Sequence, residues 1–193
     1  MICLMGKSGA GKDSLYKQLM ADEELALRPI VSYTTRPIRV GEQDGVEYHF
    51  TDESGYLRLQ AENRIIEARS YETVHGRWRY FTVADDQLDL AEDYCMIGTL
   101  EAYISLREYF GSGQVIPVLI ELDDGERLCR ALARERAQEQ PRYEEMCRRF
   151  LADCQDFDEE RIKEAGIVRR FCNDDLEQCR EEIRAYIEQE KKR

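Results

Sequence analysis

The chain has 193 residues, a length suited to one domain or to one domain with small insertions. Hydrophobic residues make up 42%, enough for a core, and no run of about 18 apolar residues exists, which excludes a helical membrane span. With 28 basic and 40 acidic residues the net charge is −12, which argues against non-specific nucleic-acid binding and means that an anionic ligand must be held by locally gathered cations.

The first element is a short apolar strand, Ile2–Met5, followed at once by Gly6-Lys7-Ser8-Gly9-Ala10-Gly11-Lys12-Asp13-Ser14. A helix follows over Lys12–Ala21, with Leu15, Leu19 and Met20 at helical spacing. Strand, glycine loop, lysine and helix form the layout G-x-x-x-x-G-K of a phosphate-binding P-loop. Its glycines let successive N–H groups turn toward phosphate oxygens, and the helix start adds positive potential. Lys12 would place an ammonium on the β- and γ-phosphates of a nucleotide. The residue after the lysine is ordinarily Ser or Thr; here it is Asp13, with Ser14 one step later. A glycine-rich turn with a solvated lysine is the plain alternative, and the strand-before, helix-after context argues against it.

Beyond the loop, apolar runs and turn signals alternate as in α/β proteins. Strands are expected over Pro29–Tyr33, Val46–Phe50, Arg64–Tyr71, Arg77–Val83, Tyr94–Thr99, Val115–Leu122 and Ile167–Cys172. Helices are expected over Glu53–Glu62, Asp85–Ala91, Leu100–Tyr109, Asp124–Ala137, Arg142–Asp153, Asp156–Ala165 and Asp174–Glu190, with Asp174 as a cap. Residues 32–83, rich in Thr, Tyr and Arg, read as an insertion with its own small sheet. Residues from about 134 to 149 form a second, basic interruption. Seven cysteines without a C-x-x-C pair read as free thiols of a reducing compartment. His49 and His75, the only histidines, show no partner in the sequence and read as structural.

The second informative segment runs Ser32-Tyr33-Thr34-Thr35-Arg36-Pro37-Ile38-Arg39-Val40-Gly41-Glu42, then Gly45-Val46-Glu47-Tyr48-His49-Phe50. Two arginines three apart, among hydroxyls and a tyrosine, suit a phosphate monoester, because guanidinium forks grip phosphate oxygens in pairs. A surface hairpin with solvated arginines has the same spacing.

The pattern S-x-T-T-R-x-x-R-x-G-E-x-x-G-x-x-Y-x-F closely resembles the GMP-binding segment of guanylate kinases. Arg64-Ile65-Ile66-Glu67-Ala68 resembles that family's F-I-E-x-A strand. Gly76-Arg77-Trp78-Arg79-Tyr80-Phe81-Thr82 is a looser match to its G-x-Y-Y-G-[ST] turn, and Asn173-Asp174-Asp175-Leu176 resembles its N-D-D-L segment. The resemblance implies an α/β P-loop NTPase fold: a parallel β-sheet flanked by helices (core 1–31, 84–133 and 150–193), a GMP-binding β insertion (32–83) and a helical lid (about 134–149). It implies transfer of the γ-phosphoryl of ATP to GMP, and possible use of dGMP, with Mg²⁺ accompanying ATP. ATP would lie on Gly6, Ser8, Gly9, Ala10, Gly11, Lys12, Asp13 and Ser14, with Asn173 by the adenine. Arg36, Arg39 and Tyr48 would hold the GMP phosphate, with Glu42 and Tyr80 in the same site. Glu67 would accept from guanine N1 and N2, and Ser32 and Thr82 would face O6. Lys12, Arg36 and the lid residues Arg136, Arg148 and Arg149 would carry the catalytic charge. A cytoplasmic monomer or weak homodimer is expected, with no nucleic-acid or membrane partner.

The chain departs from the family where an aspartate pair, D-x-D, usually ends the strand beside the phosphates. It reads Met96-Ile97-Gly98-Thr99-Leu100-Glu101. Asp13 is therefore read as a relocated Mg²⁺ ligand, since that ion prefers hard oxygen donors. Glu101 is read as a partial substitute or a solvated helix residue. Two other readings remain open: a kinase of the same fold acting on a sugar phosphate such as ribose 1,5-bisphosphate, and a non-catalytic binding module. Retention of Glu67 and of the Arg36–Arg39–Tyr48 set separates the first, and the intact loop with Lys12 separates the second.

Overall fold

Ile2, Cys3, Leu4 and Met5 are all buried, as a strand covered on both faces must be. A computed structural model describes residues 1–73, 76–85, 88 and 92–192. In it this strand, β1 (Ile2–Met5), is the middle of a five-stranded parallel sheet. The others are β2 (Arg28–Pro29), β7 (Tyr94–Ile97), β8 (Ile116–Glu121) and β9 (Arg170–Cys172), in the order β2-β7-β1-β8-β9. The period of two sorts the strand's side chains. Ile2 and Leu4 pack with Leu15 and Leu19 of α1 (Lys12–Met20) and Ile183 and Ile187 of α7 (Leu176–Glu190). Cys3 and Met5 pack on the other face with Leu100, Tyr103 and Leu106 of α3 (Leu100–Phe110) and Ile162 of α6 (Glu159–Glu164). Burial of each such leucine contributes roughly 1.5–3 kcal/mol. Because β1 lies between β7 and β8, the loop after it opens at the carboxyl edge of the sheet, where α/β folds place ligands.

The expected insertion carries a separate four-stranded sheet, β4-β3-β6-β5, of β3 (Tyr33–Thr34), β4 (His49–Phe50), β5 (Ile65–Thr73) and β6 (Gly76–Val83). Tyr56 and Leu59 of α2 (Glu53–Ala61) close its small core against Phe81 and Val83. The single strand expected over Pro29–Tyr33 is split, Arg28–Pro29 pairing in the parallel sheet and Tyr33–Thr34 in the second one. Residues between them cross from sheet to sheet, so an apolar run alone could not reveal the break. The strand expected over Val46–Phe50 shortens to His49–Phe50, because the preceding residues turn through a Gly45 N–H bond to the Tyr48 carbonyl.

At the other end, α4 (Asp124–Arg136) and α5 (Tyr143–Asp156) are joined by residues 137–142. Helix α5 runs on through Asp156, so the helix expected over Asp156–Ala165 begins only at Glu159, capped by Asp158. Asp175, not Asp174, caps α7 by accepting from the Gln178 N–H. The helix expected over Asp85–Ala91 falls largely outside the described residues, as does His75. The His49 ring lies tilted against that of Tyr33, ring centres 4.6 Å apart. All seven cysteines are free thiols, and no helix among the described residues is long and apolar enough to cross a membrane.

Candidate active site

The loop after β1 is built on glycines that cannot be replaced. At Gly6 (φ 145°) a Cβ would stand 2.2 Å from the Ile120 carbonyl oxygen of β8. At Gly11 (φ 90°) it would stand 2.1 Å from the Asn173 amide nitrogen. The Asn173 side chain, 3% exposed, donates to the Ala10 carbonyl at 2.7 Å. Asn173 was expected beside an adenine; here it braces the loop from β9's end. Lys12 curls back over the loop, its Nζ donating to the carbonyls of Gly6 (2.8 Å) and Lys7 (3.0 Å). Burial lowers the pKa of its ammonium, and the carboxylates of Asp153 and Asp13 pull the other way. Asp13 and Ser14 are both exposed on the first turn of α1.

Three residues at the loop carried no signal in the sequence. Arg127 of α4, 1% exposed, donates from Nη1 to the Ser8 carbonyl (2.9 Å) and from Nε and Nη2 to Asp124 (3.0 and 2.6 Å), with its guanidinium over Phe150. Asp153 of α5 accepts from the Ser8 N–H at 2.7 Å. Arg130 places Nη1 3.9 Å from the Cβ position of Gly11. By contrast, the expected lid arginines are not gathered at the loop. Arg148 is held by Glu145 (2.7 Å), Arg149 reaches Glu145 and Glu135 (3.6 and 3.9 Å), and Arg136 ends α4 exposed. Glu135, buried, instead fastens the start of α5 by accepting from the Arg142 N–H. A run of arginines in helical sequence does not say which face of the helix meets the loop; only the packing of α4 on α5 does.

On the second sheet the residues expected to hold a phosphate lie together. Thr34 Oγ1 accepts from the Arg36 N–H and donates to the Arg79 carbonyl, and Thr35 Oγ1 accepts from the Arg79 N–H, which pins the segment to β6. Arg36, 3% exposed, makes a two-pronged pair with Glu42 (2.7 and 2.6 Å) and lies over the rings of Tyr48 and Phe50. Tyr48 meets Tyr80 edge-on at 5.5 Å. The Arg39 N–H binds Glu42, leaving its side chain exposed at the rim. Glu42 is thus the residue that fixes Arg36, and Arg36 holds its carboxyl down to about 2.

Glu67 is buried on β5, beside a bulge between Ile65 and Glu67, and faces Thr82 of β6. Thr82 Oγ1 donates to Glu67 at 2.9 Å. The Ser32 carbonyl accepts from the His49 N–H, which ties Ser32 to β4 of the same sheet. At the end of β7 the missing aspartates have a packing counterpart. A Cβ at Gly98 would stand 2.9 Å from Cys3 Sγ, and Leu100 is buried in the core. Thr99 caps α3 by accepting from the Ala102 N–H, and Glu101 is an exposed first-turn residue paired with Arg161 (2.8 Å).

Residues 1–80 match the family model described as guanylate kinase. A guanylate kinase of Caldanaerobacter subterraneus is 28% identical over 99% of this chain and 87% of its own. Those of Schizosaccharomyces pombe and Rhodospirillum rubrum are 41% and 42% identical over 34% and 39% of this chain, and the aligned part spans only about a third of their own length, 33% and 35%. Among solved structures, guanylate kinase from Anaplasma phagocytophilum shares the fold, with a TM-score of 0.60 at 22% identity over 98% of this chain and 85% of that one.

Proposed function

We propose that this chain, a divergent relative of the guanylate kinases, transfers the γ-phosphoryl group of ATP to GMP in one in-line step. The observation that carries the reading is the presence in one fold of two constellations suited to phosphate: the glycine loop with Lys12 on the parallel sheet, and Arg36 with Tyr48 and Tyr80 on the second. A nucleotide triphosphate on the loop and a monophosphate under Arg36 would bring a phosphate oxygen of GMP to the γ-phosphorus. That P–O bond forms as the bond to the β–γ bridging oxygen breaks, and ADP leaves with the electron pair. Such a transfer needs positioning and charge stabilisation more than covalent help. Arg36, pre-aimed by Glu42, would orient the acceptor. The loop N–H groups and Lys12, released from the Gly6 and Lys7 carbonyls, would take the charge of the moving group. Arg127 touches the loop at the Ser8 carbonyl and Arg130 lies beside Gly11, whereas Arg148 and Arg149 are paired with glutamates, so Arg127 and Arg130 are the cations held at the loop in this conformation.

Mg²⁺ would fit beside Asp13 and Ser14, whose exposed hard-oxygen side chains follow Lys12. Among the described residues no cluster of three or more metal-binding side chains exists, so the remaining ligands would be phosphate oxygens and water. When bound, the ion supplies charge neutralisation at the phosphates.

A coupled assay of ADP release with ATP, Mg²⁺ and GMP tests the activity. Turnover abolished by Lys12→Ala is the expected result. Turnover with ribose 1,5-bisphosphate but not GMP would replace the proposal, and silence on every acceptor would favour a binding module.

A further inference from the structure

Glu67 does not stand alone in its pocket. Arg69, two residues on along β5 and therefore on the same face, places Nε 3.2 Å from Glu67 Oε2 and Nη2 3.5 Å from Oε1. Both carboxylate oxygens are thus in contact with one guanidinium, and Oε1 also receives the Thr82 hydroxyl. The Arg69 Nε is buried and has no partner beyond this ion pair, so the guanidinium sets N–H donors directly beside the Glu67 acceptor. The residue opens on a cavity of about 330 Å³ between β5 and the start of α3, lined also by Tyr71, Thr99, Leu100 and Glu101. On the α3 side, position 98 is a glycine whose Cβ would meet Cys3 Sγ at 2.9 Å and position 100 is a leucine buried in the core, so neither position supplies a carboxylate.

A guanine edge presents two adjacent donors, N1–H and the 2-amino group, and asks for two acceptors. This pocket offers an acceptor and a donor. A 6-oxopurine with oxygen at C2 presents the complementary pair: N1–H to Glu67, and the C2 carbonyl to Arg69. A donor at C2 would face the N–H groups of the guanidinium, whereas an oxygen there can accept from them. We propose that Arg69 is a specificity-determining residue of the base pocket, set to meet an oxygen at C2, so that the chain phosphorylates the monophosphate of a 2,6-dioxopurine nucleoside as well as GMP. The inference rests on the monophosphate-kinase reading above.

The test is kcat/KM for GMP, xanthosine 5′-monophosphate and inosine 5′-monophosphate, the last having N1–H and nothing at C2. It is run on the unaltered chain, Arg69→Ala and Arg69→Gln. Ratios between substrates on one preparation do not depend on the folded fraction, so loss of some protein through an unpaired Glu67 leaves the readout intact. The expected result is use of the xanthosine monophosphate within about tenfold of GMP by the unaltered chain. Arg69→Ala should lower that ratio by about a hundredfold, with the inosine-to-GMP ratio little changed and Arg69→Gln intermediate. Rejection of the xanthosine monophosphate by more than about a thousandfold, or a ratio unmoved in Arg69→Ala while GMP turns over, overturns the assignment of Arg69 alone. Absence of GMP turnover in the unaltered chain overturns both it and the activity it rests on.

Discussion

Asp153 Oδ2 accepts a 2.7 Å hydrogen bond from the Ser8 amide, so a carboxylate of α5 occupies one of the anion-facing N–H groups of the glycine loop. A phosphate that uses the whole loop must compete with it or meet a like charge. The same carboxylate lies 3.8 Å from Arg127 and supports the charge on Lys12, which couples α5 to the loop's occupancy.

Asp153→Asn keeps the shape and removes the charge. It is expected to tighten ATP binding by about tenfold, equivalent to ~1.4 kcal/mol. Titration calorimetry of ATP against both proteins reads this directly; unchanged or weaker binding would show that Asp153 yields to the phosphate at no cost.

Arg36 offers two parallel donors to Glu42 and is enclosed by Tyr48 and Phe50, an arrangement a point-charge ammonium cannot reproduce. Arg36→Lys should raise KM for GMP by about a hundredfold, or ~2.7 kcal/mol, with the dissociation constant for ATP unchanged. A matching loss in ATP affinity would mean that the Arg36 segment and the glycine loop do not act separately.

The same pair sets an acid limit on stability. Arg36 holds the Glu42 carboxyl down to about 2, helped by the Arg39 N–H and opposed by desolvation, against an ordinary value of 4.5. The folded chain therefore binds this proton less readily than the unfolded one. The stabilising contribution is complete above the unfolded value and fades as pH falls from 4.5 toward 2. Thermal melts of the unaltered chain and Glu42→Gln should differ by a constant margin at neutral pH, and that margin should close in this acid window. A margin that persists to the lowest pH reached would assign the effect to shape and not to charge.

Restoring an aspartate at the end of β7 should fail. The Cβ of Gly98→Asp would stand 2.9 Å from buried Cys3 Sγ, an overpacking that costs about 1–3 kcal/mol. Urea unfolding should show that loss, and Cys3→Ala in the same chain should recover part of it. Equal stability of Gly98→Asp and the unaltered protein would place the cause of the missing carboxylate elsewhere than in packing.

Local chemistry made much of the fold legible. The step from Ile2–Met5 into Gly6–Lys12 is contiguous, and each residue's role there depends on backbone conformation that glycine alone permits. The helices and most strands followed from periodicity, and Thr34, Thr35, Arg36 and Tyr48 lie within one short segment. The break between Arg28–Pro29 and Tyr33–Thr34 was hidden, because β pairing partners lie far away in the chain: Tyr94 and Cys95 for the first, Tyr80 and Phe81 for the second.

The glycine loop, the Arg36 segment and the loss of the aspartate pair are written in neighbouring residues and are legible there without a structure. Packing between distant elements was needed to show that Arg127 and Asp153 attend the loop, that Asn173 braces it, that Arg148 and Arg149 are held by glutamates, and that Arg69 is ion-paired with Glu67. Those relationships join residues up to 163 positions apart, or depend on which face of a helix or strand is buried. Side-chain charge is read from a sequence, but whether that charge meets a ligand, a carboxylate or water is set by packing between distant elements.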